Sequence, residues 1–371
     1  MAHPLKILHT CETAMGGVGV YQKYLAGMDS VSVDQIFLMP EPHAGIMEGD
    51  PRVVTYPVSK RGPSAVLSQI RHLSQLMRRE RPDVVVFHST FSLFALFAAR
   101  LFRLTRRRPR MLYFAHGWAA DQYSGTKHWL VRTVEGNLCG LADLVVNVSQ
   151  NDLDTARQKG YRGRQVLIEN AVPDRTDEGQ CVHFANAAEK LHLLFVGRFD
   201  RQKGLDVLLA ALARAQEQRP DLQLHVIGGA VRGGDQAELP AGVHMVGWVP
   251  RNEVDRWYGS ADALVVPSRW EGLPLVIPEA LRNGTPVLVS RRSGMAKLFD
   301  EGVQGISFDL QVDALAKTLV SLDRERLRAM RPACRILYQE RYSIERLYTG
   351  ILNAYYDRLP LPPRSGTHAA L

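Results

Sequence analysis

The chain repeats one alternating pattern of apolar residues twice. Short runs rich in Val, Ile, Leu and Phe, typical of buried strands, are separated by longer stretches whose apolar residues have helical spacing. A stretch rich in turn residues and acids, 169–190, separates the two series and predicts a linker. Since strand–helix alternation is typical of parallel sheets, each series predicts a sheet covered by helices on both faces.

The two series predict two doubly wound, Rossmann-like α/β domains, over 1–175 and 188–340. Ligands of such sheets bind beyond the carboxyl ends of the strands, so we expect the domains to face a cleft that holds the substrates. The predicted strands are 5–10, 83–89, 110–116, 142–149, 192–198, 222–229, 243–247, 262–268 and 285–290. The predicted helices are 63–80, 91–102, 128–141, 204–218, 251–260, 274–284 and 343–359.

Length and cysteine usage narrow the class of protein. At 371 residues the chain is long for a single core, which favours two domains. Its four cysteines are far apart and lack metal-ligand spacing, which predicts reduced thiols and a cytoplasmic location. The start MAHPLKILHT resembles a first strand more than a signal peptide, and no apolar run reaches the roughly 18 residues of a membrane span.

Positive charge is concentrated in residues 60–132. This segment has fourteen Lys and Arg against three acids, a net charge of +11, whereas the whole chain carries +8. The run RLFRLTRRRPR (100–110) mixes arginines with Leu and Phe, a pattern that suits the anionic inner face of the cytoplasmic membrane. A solvated helix end is the alternative. Nucleic acid is not expected, since no zinc or aromatic-rich motif accompanies the charge.

Two cations follow the first strand of the second half, in VGRFDRQKG (196–204). Arg198 and Lys203 lie in the predicted strand-to-helix turn. Arginine can hold a phosphate through two parallel N–H bonds, and lysine acts as a point charge. The turn therefore predicts a diphosphate site. Two ordinary surface cations are the alternative, which the positive end of the helix dipole makes less favourable.

Two glutamates flank the start of a predicted helix in EGLPLVIPE (271–279). Pro274 suits a first helical position, and the nearby N–H groups would face an anion. Glu279 could accept the two hydroxyls of a ribose, with Glu271 at the sugar end of the ligand. The alternative is a solvent-facing Glu279 and a capping Glu271. The residues of this predicted ligand site are Glu271, Gly272, Leu273, Pro274, Leu275 and Glu279.

The chain resembles glycosyltransferase family 4, most strongly over 192–290. The resemblance rests on the E-x7-E motif, which runs from Glu271 to Glu279, and on the cation turn, the segment 196–204 that contains Arg198 and Lys203. The resemblance implies the two-domain GT-B fold and sugar transfer from a nucleotide diphosphate with retention at the anomeric carbon. It implies no cofactor and no divalent metal. It assigns the diphosphate to Arg198 and Lys203, the ribose to Glu279 and the donor sugar to Glu271. It also implies that the helix 343–359 packs back on the first domain.

The resemblance adds residues outside this motif. Further donor contacts are implied at Gly16, Gly17, Gly247 and Val249. His116, in FAHGW after a strand, would touch the donor sugar and complete a catalytic set with Glu271, Arg198 and Lys203. A histidine at a strand end is otherwise more often structural. Asp121 and Lys127, on the same loop, could meet the acceptor.

Lys297 departs from the family pattern. The chain has SGMAKLF (293–299) where the family commonly has G-G-x-P-E, so only Gly294 is kept and Lys297 replaces the glutamate.

We expect a hexose or N-acetylhexosamine donor, UDP-linked before GDP-linked, and a saccharide or lipid-linked acceptor of cell-surface polysaccharide or lipopolysaccharide synthesis. A nucleotide-sugar epimerase and a non-catalytic sugar-nucleotide or polyanion binder are the alternatives; a phosphorylase is disfavoured, since no pyridoxal phosphate signature is present.

Overall fold

The computed structural model describes residues 4–28, 32–58, 62–102, 108–175, 182–184, 186, 189–229 and 239–357. The chain divides into two compact units. The first takes in the chain up to Asn170 and again from Glu345, and the second is Ala171–Ile344. Of the basic segment, residues 60, 61, 103, 106 and 107 lie outside the described residues, as does Cys181.

The first unit contains a seven-stranded parallel sheet. Its strands are β1 (Leu5–Cys11), β2 (Val33–Pro40), β3 (Val53–Tyr56), β4 (Val84–His88), β5 (Arg110–Ala115), β6 (Leu144–Asn147) and β7 (Gln165–Leu167). Their order is β3-β2-β1-β4-β5-β6-β7, so the order in which successive strands are added across the sheet reverses between β1 and β4. Its helices up to residue 158 are α1 (Gly17–Ala26), α2 (Pro63–Glu80), α3 (Ser92–Leu101), α4 (Gly125–Leu138) and α5 (Gln150–Gln158).

The second unit contains a six-stranded parallel sheet. Its strands are β8 (Leu191–Val196), β9 (Leu222–Ile227), β10 (Val243–Gly247), β11 (Ala263–Val266), β12 (Val287–Ser290) and β13 (Gly305–Phe308). Their order is β10-β9-β8-β11-β12-β13, with the reversal between β8 and β11. The helices are α6 (Leu205–Gln216), α7 (Arg251–Ser260), α8 (Val276–Arg282), α9 (Val312–Val320) and α10 (Arg324–Leu337). The prediction of two doubly wound, Rossmann-like α/β domains is confirmed.

The last helix, α11 (Ile344–Tyr355), lies against the first unit. The Tyr348 hydroxyl donates a hydrogen bond to the Tyr24 carbonyl on α1, at 2.7 Å. The Tyr355 hydroxyl lies 3.5 Å from Nε2 of His9 on β1. The helix is shorter than the predicted range of 343–359, whose last two residues lie outside the described part of the chain.

The start of α8 differs from the prediction. Pro274 is not a first helical residue, since the helix begins at Val276 with Leu275 as its N-cap. The carbonyl of Pro274 accepts the Ile277 N–H at 3.1 Å, and that of Leu275 accepts the Glu279 N–H at 3.0 Å. Residues 274 and 275 therefore form the turn that leads into the helix. The helix predicted over 128–141 also differs, because it begins at Gly125 and its last three residues form a 3-10 turn.

Candidate functional site

Close backbone packing brings the loops after β8 and β11 together. Gly204 is the N-cap of α6 and has a left-handed φ of 68°. A Cβ atom at this position would collide with the carbonyl oxygen of Pro267, just beyond β11. A Cβ on Gly228, after β9, would collide in the same way with the carbonyl of Gly197. These glycines allow three loops at the carboxyl end of the sheet to converge.

The cation turn contacts the first glutamate of the E-x7-E motif. Nζ of Lys203 lies 2.6 Å from Oε1 of Glu271, whose side chain is 8% exposed. The Gln202 amide donates to the Trp270 carbonyl at 3.0 Å and to Oε2 of Glu271 at 3.3 Å. Two motifs that are 68 residues apart in sequence are therefore bound together in space, across the loops after β8 and β11.

Arg198 lies at the other side of this turn. Its Nη2 atom is 3.4 Å from Oε1 of Gln202 and 3.1 Å from Oδ2 of Asp200. Gln202 thus connects Arg198 to Glu271. Sequence analysis did not identify Gln202 or Asp200, although both lie inside the quoted segment 196–204. Each of the two cations thus lies beside one carboxylate, Arg198 beside Asp200 and Lys203 beside Glu271.

Glu279 is buried, with 9% exposure, and so is not the solvent-facing residue of the alternative interpretation. It lies in the first turn of α8, where the helix dipole favours a negative charge. The hydroxyl of Tyr258, a fully buried residue on α7, donates to Oε2 of Glu279 at 3.0 Å. Sequence analysis missed Tyr258, since no motif marks it and only the tertiary contact connects it to the site.

The end of β10 joins the same group of loops. The Gly247 carbonyl accepts the Gly228 N–H at 2.8 Å, and the Phe199 N–H donates to the Gly229 carbonyl at 2.9 Å. Val249 is half-buried two residues further on. Gly247 is thus held next to the loop that follows β9, while Gly272, Leu273 and Pro274 are buried beside Glu271.

The first unit presents the predicted glycine loop at the end of β1. Gly16 is the N-cap of α1, with φ 70°, and its carbonyl accepts the Val20 N–H at 3.2 Å. The described atoms leave open space within 4 Å of the position of a Cβ on Gly17. The predicted strand–turn–helix is therefore present, and its second glycine leaves the backbone accessible.

His116 follows β5 and is half-buried. Its Nε2 atom lies 3.0 Å from Nδ1 of His88, and the edge of the ring meets Tyr21 at 4.9 Å between centroids. Burial lowers the pKa of His116 from 6.5 to about 4. The imidazole is therefore neutral near pH 7, with one N–H donor and one lone pair.

Asp121 and Lys127 are engaged in local contacts. Asp121 lies in a 3-10 turn and pairs with the ammonium of Lys159. Lys127 lies 4.3 Å above the ring of Tyr123. The loop itself is anchored by the buried Glu135 carboxylate, which accepts the N–H groups of residues 119 and 120. Their acceptor role stays a prediction.

The departure at Lys297 leaves the local backbone turn intact. Gly294 adopts a left-handed φ of 67°, and the Lys297 N–H donates to its carbonyl at 2.9 Å. The carbonyl of Lys297 accepts from Arg341 at 3.2 Å. Nothing in these contacts explains the choice of lysine.

The three described cysteines, Cys11, Cys139 and Cys334, are free and buried. Burial raises the pKa of each thiol from 9.0 to about 12. In the part of the chain that the structure describes, no helix is both long and apolar enough to cross a membrane.

Fold and site together define a two-unit Rossmann-like protein with charged groups at the carboxyl ends of its strands. Two family models match the sequence of this chain, one in each half. "Glycosyl transferases group 1" covers residues 183–334, and "Glycosyl transferase 4-like domain" covers residues 16–171. The chain belongs to this glycosyltransferase family.

Individual proteins show the same likeness. An "Uncharacterized 41.2 kDa protein in cps region" of Klebsiella pneumoniae is 26% identical over 314 residues, 81% of this chain and 85% of that protein. A D-inositol 3-phosphate glycosyltransferase of Arthrobacter sp. (strain FB24) is 37% identical, but over only 33% of this chain and 31% of its own length.

Solved structures confirm the GT-B fold. Sucrose-phosphate synthase from Thermosynechococcus elongatus superimposes with a TM-score of 0.77 at 19% identity, covering 95% of this chain and 99% of that one. The Anabaena protein HepE in complex with UDP-glucose gives a TM-score of 0.76 at 17% identity, covering 96% and 100%. At these identities the likeness concerns the fold.

Proposed function

We propose that the protein is a retaining, metal-independent glycosyltransferase. It moves a hexose or N-acetylhexosamine from a nucleotide diphosphate, UDP before GDP, to a hydroxyl of a saccharide or lipid-linked acceptor. The observation that carries the proposal is the contact of Lys203 with Glu271 at 2.6 Å, which joins the cation turn to the E-x7-E motif. The UDP-glucose bound by HepE and the cps region of the Klebsiella relative support the choice of donor and of cell-surface polysaccharide.

In the proposed reaction Arg198 and Lys203 bind the diphosphate. Negative charge grows on the departing phosphate as the glycosidic bond breaks, so these cations stabilise the transition state more than the bound donor. Glu279, oriented by Tyr258, accepts the ribose hydroxyls. The acceptor hydroxyl attacks from the face that the phosphate leaves, and a phosphate oxygen takes its proton. Retention then needs no covalent nucleophile.

Thermal unfolding with UDP, GDP, ADP and dTDP, each with and without EDTA, tests the donor site. A nucleotide at 100 times its dissociation constant should stabilise the native state by about 2.7 kcal/mol. We expect the largest shift with UDP, unchanged by EDTA. A shift abolished by EDTA would contradict metal independence. Incubation of UDP-sugars without acceptor separates the alternatives, since an epimerase would interconvert them and a transferase would not.

We further propose that α3 and α4 dock on an anionic membrane that carries the acceptor. These neighbouring helices expose large apolar side chains to solvent: Phe94, Phe97 and Leu101 on α3, and Trp129, Leu130 and Val134 on α4. Phe and Trp next to basic residues are typical of surfaces that lie in the headgroup region. Some of the charge is already paired, however, because Arg100 binds Asp143 and Arg110 binds Asp357. The apolar face must therefore supply much of the affinity.

A further inference from the structure

Three histidines form a continuous line of hydrogen bonds across neighbouring strands of the first unit. Nδ1 of His9, on β1, lies 3.1 Å from Nε2 of His88, at the end of β4. Nδ1 of His88 lies 3.0 Å from Nε2 of His116, after β5. At the inner end, Nε2 of His9 lies 3.2 Å from Oε1 of Gln35 on β2. His9, His88 and Gln35 are buried, and sequence analysis identified none of them.

Gln35 fixes the direction of every donor in this line. Its Nε2 atom donates to the Leu25 carbonyl at 2.8 Å, so its Oε1 atom must be the group that faces His9. Oε1 only accepts, and therefore Nε2 of His9 carries the hydrogen. A neutral His9 then offers the lone pair of Nδ1, to which Nε2 of His88 donates. By the same step, Nε2 of His116 donates to Nδ1 of His88.

The line also resists protonation. An extra proton on His9 or His88 would set two N–H groups against each other at one junction. Neighbouring aromatic rings hold the imidazoles in place: Phe37 stacks on His9 at 4.7 Å between centroids, and Phe114 stacks on His88 at 5.2 Å. Reorientation of one ring would break two hydrogen bonds inside the core, where unsatisfied polar groups are costly.

We propose that Gln35, His9 and His88 are positioning residues that hold His116 in the Nε2–H tautomer, with Nδ1 as the acceptor offered to a substrate hydroxyl. The use of that acceptor in sugar transfer rests on the proposed function, whereas the tautomer does not. The line ends at His116, the residue that the family resemblance places at the donor sugar. Its Nε2 atom is engaged with His88, so Nδ1 is the ring nitrogen left for a ligand.

Nitrogen-15 NMR of histidine-labelled full-length protein tests the assignment directly, because the two neutral tautomers have different ring-nitrogen shifts. The His116 signals are assigned by their loss in His116→Gln. We expect the wild-type protein near pH 7 to show His116 as the Nε2–H form. An Nδ1–H form, or a mixture of both tautomers, would overturn the proposal without any further variant.

Two substitutions at Gln35 test the relay. Gln35→Met removes the acceptor with little change in volume, and the Nδ1–H population of His116 should rise from below about a tenth to a substantial fraction. Gln35→Glu keeps an acceptor facing His9 and should retain the wild-type tautomer. An unchanged tautomer in a folded Gln35→Met variant would show that the line does not control His116.

Turnover separates this inference from the proposed function. In Gln35→Met we expect kcat to fall at least about tenfold while the thermal shift with UDP is kept. Normal kcat despite a changed tautomer would overturn the acceptor role of Nδ1. If the wild-type protein showed neither a nucleotide shift nor transfer, the proposed function would fail, and the NMR result would still decide the tautomer.

Discussion

Lys203 is the cation proposed for the diphosphate, and it also contacts Glu271. Its removal should therefore lower catalysis much more than it lowers the stability of the fold. We expect Lys203→Ala to lower kcat/KM about 10- to 100-fold, because one charge-assisted hydrogen bond contributes about 1.5–3 kcal/mol to transition-state stabilisation. Gln202 still donates to Glu271 in this variant, which limits the loss of stability. Lys317→Ala, an exposed lysine on α9, is the control. Wild-type turnover in Lys203→Ala would exclude the phosphate role.

The ribose role of Glu279 can be tested through Tyr258, with a second buried tyrosine as the matched control. Tyr258→Phe removes the 3.0 Å hydrogen bond to the carboxylate and should weaken UDP binding about 3- to 10-fold, since Glu279 loses its orientation. Tyr342→Phe removes another buried hydroxyl of the same unit, bound to the Leu298 carbonyl at 2.6 Å. Both variants should lose about 1 kcal/mol of stability. Titration calorimetry with UDP should detect weakening only in Tyr258→Phe; equal affinities would contradict the ribose assignment.

At the scale of elements, the loop after β8 depends on a glycine. Gly204→Ala must place a Cβ against the Pro267 carbonyl, in addition to the strain of φ 68°. Gly160 has nearly the same φ, 67°, but open space around a Cβ in the described structure, so Gly160→Ala isolates the backbone strain of about 1–2 kcal/mol. Urea unfolding should show a clearly larger loss of unfolding free energy for Gly204→Ala than for Gly160→Ala. Equal losses would mean that the packing of the two loops is loose.

The sequence predicted central strands better than peripheral ones, for a physical reason. β4 is buried on both faces and is an apolar run, VVVF, that ends at His88. The strands that were not predicted at sheet edges, β3, β7 and β13, have only three or four residues, whereas the longer edge strand β10 was predicted. β2 was missed although it is internal, because its polar Gln35 interrupts the pattern. Gln35 is buried because it has hydrogen-bond partners, which a pattern of residue types does not reveal.

The site was predictable where its residues are close in sequence. The E-x7-E segment and the cation turn each stand out as a motif, and the structure brings them together at Lys203 and Glu271. Tyr258 and the histidine line could not be predicted, since their partners are 21 residues apart in one case and 79 in another. The histidine line exists only once parallel strands place distant residues side by side, and the Tyr258–Glu279 bond exists only once α7 packs against α8.

At the scale of the whole molecule, the buried histidines make stability depend on pH. Burial lowers the pKa of His9 to about 3 and that of His88 well below 6.5. Below pH 6.5 the unfolded chain binds protons that the native state refuses, so stability falls with pH until the native values are reached. Each such histidine should cost about 2 kcal/mol between pH 7 and pH 5.

Hydrogen exchange of β1 peptides in increasing urea, at pH 7 and pH 5, measures this effect in the first unit. We expect the unfolding free energy to be lower at pH 5, and His88→Gln should reduce the difference by about a third, since it removes one of three histidines whose pKa is lowered by burial, His9, His88 and His116. His244→Gln, at an exposed position of the second unit, is the control and should leave the difference unchanged. Equal stability of the wild-type protein at both values of pH would contradict the buried neutral histidines.

Membrane docking should require both the apolar face and the charge of the first unit. Phe94 and Phe97, at 41% and 45% exposure, lie one turn apart on α3, so Phe94→Ser with Phe97→Ser should weaken sedimentation with anionic vesicles several-fold without unfolding the protein. Ile336→Ser changes an apolar residue of the second unit that is 52% exposed, more than either phenylalanine, and should have no effect. Raising the salt should weaken binding of the wild-type protein, because salt screens the attraction between the basic first unit and the anionic lipids. Equal binding to neutral and anionic vesicles at low salt would contradict the electrostatic part of the proposal, whereas full binding by the double variant would exclude α3 as the contact.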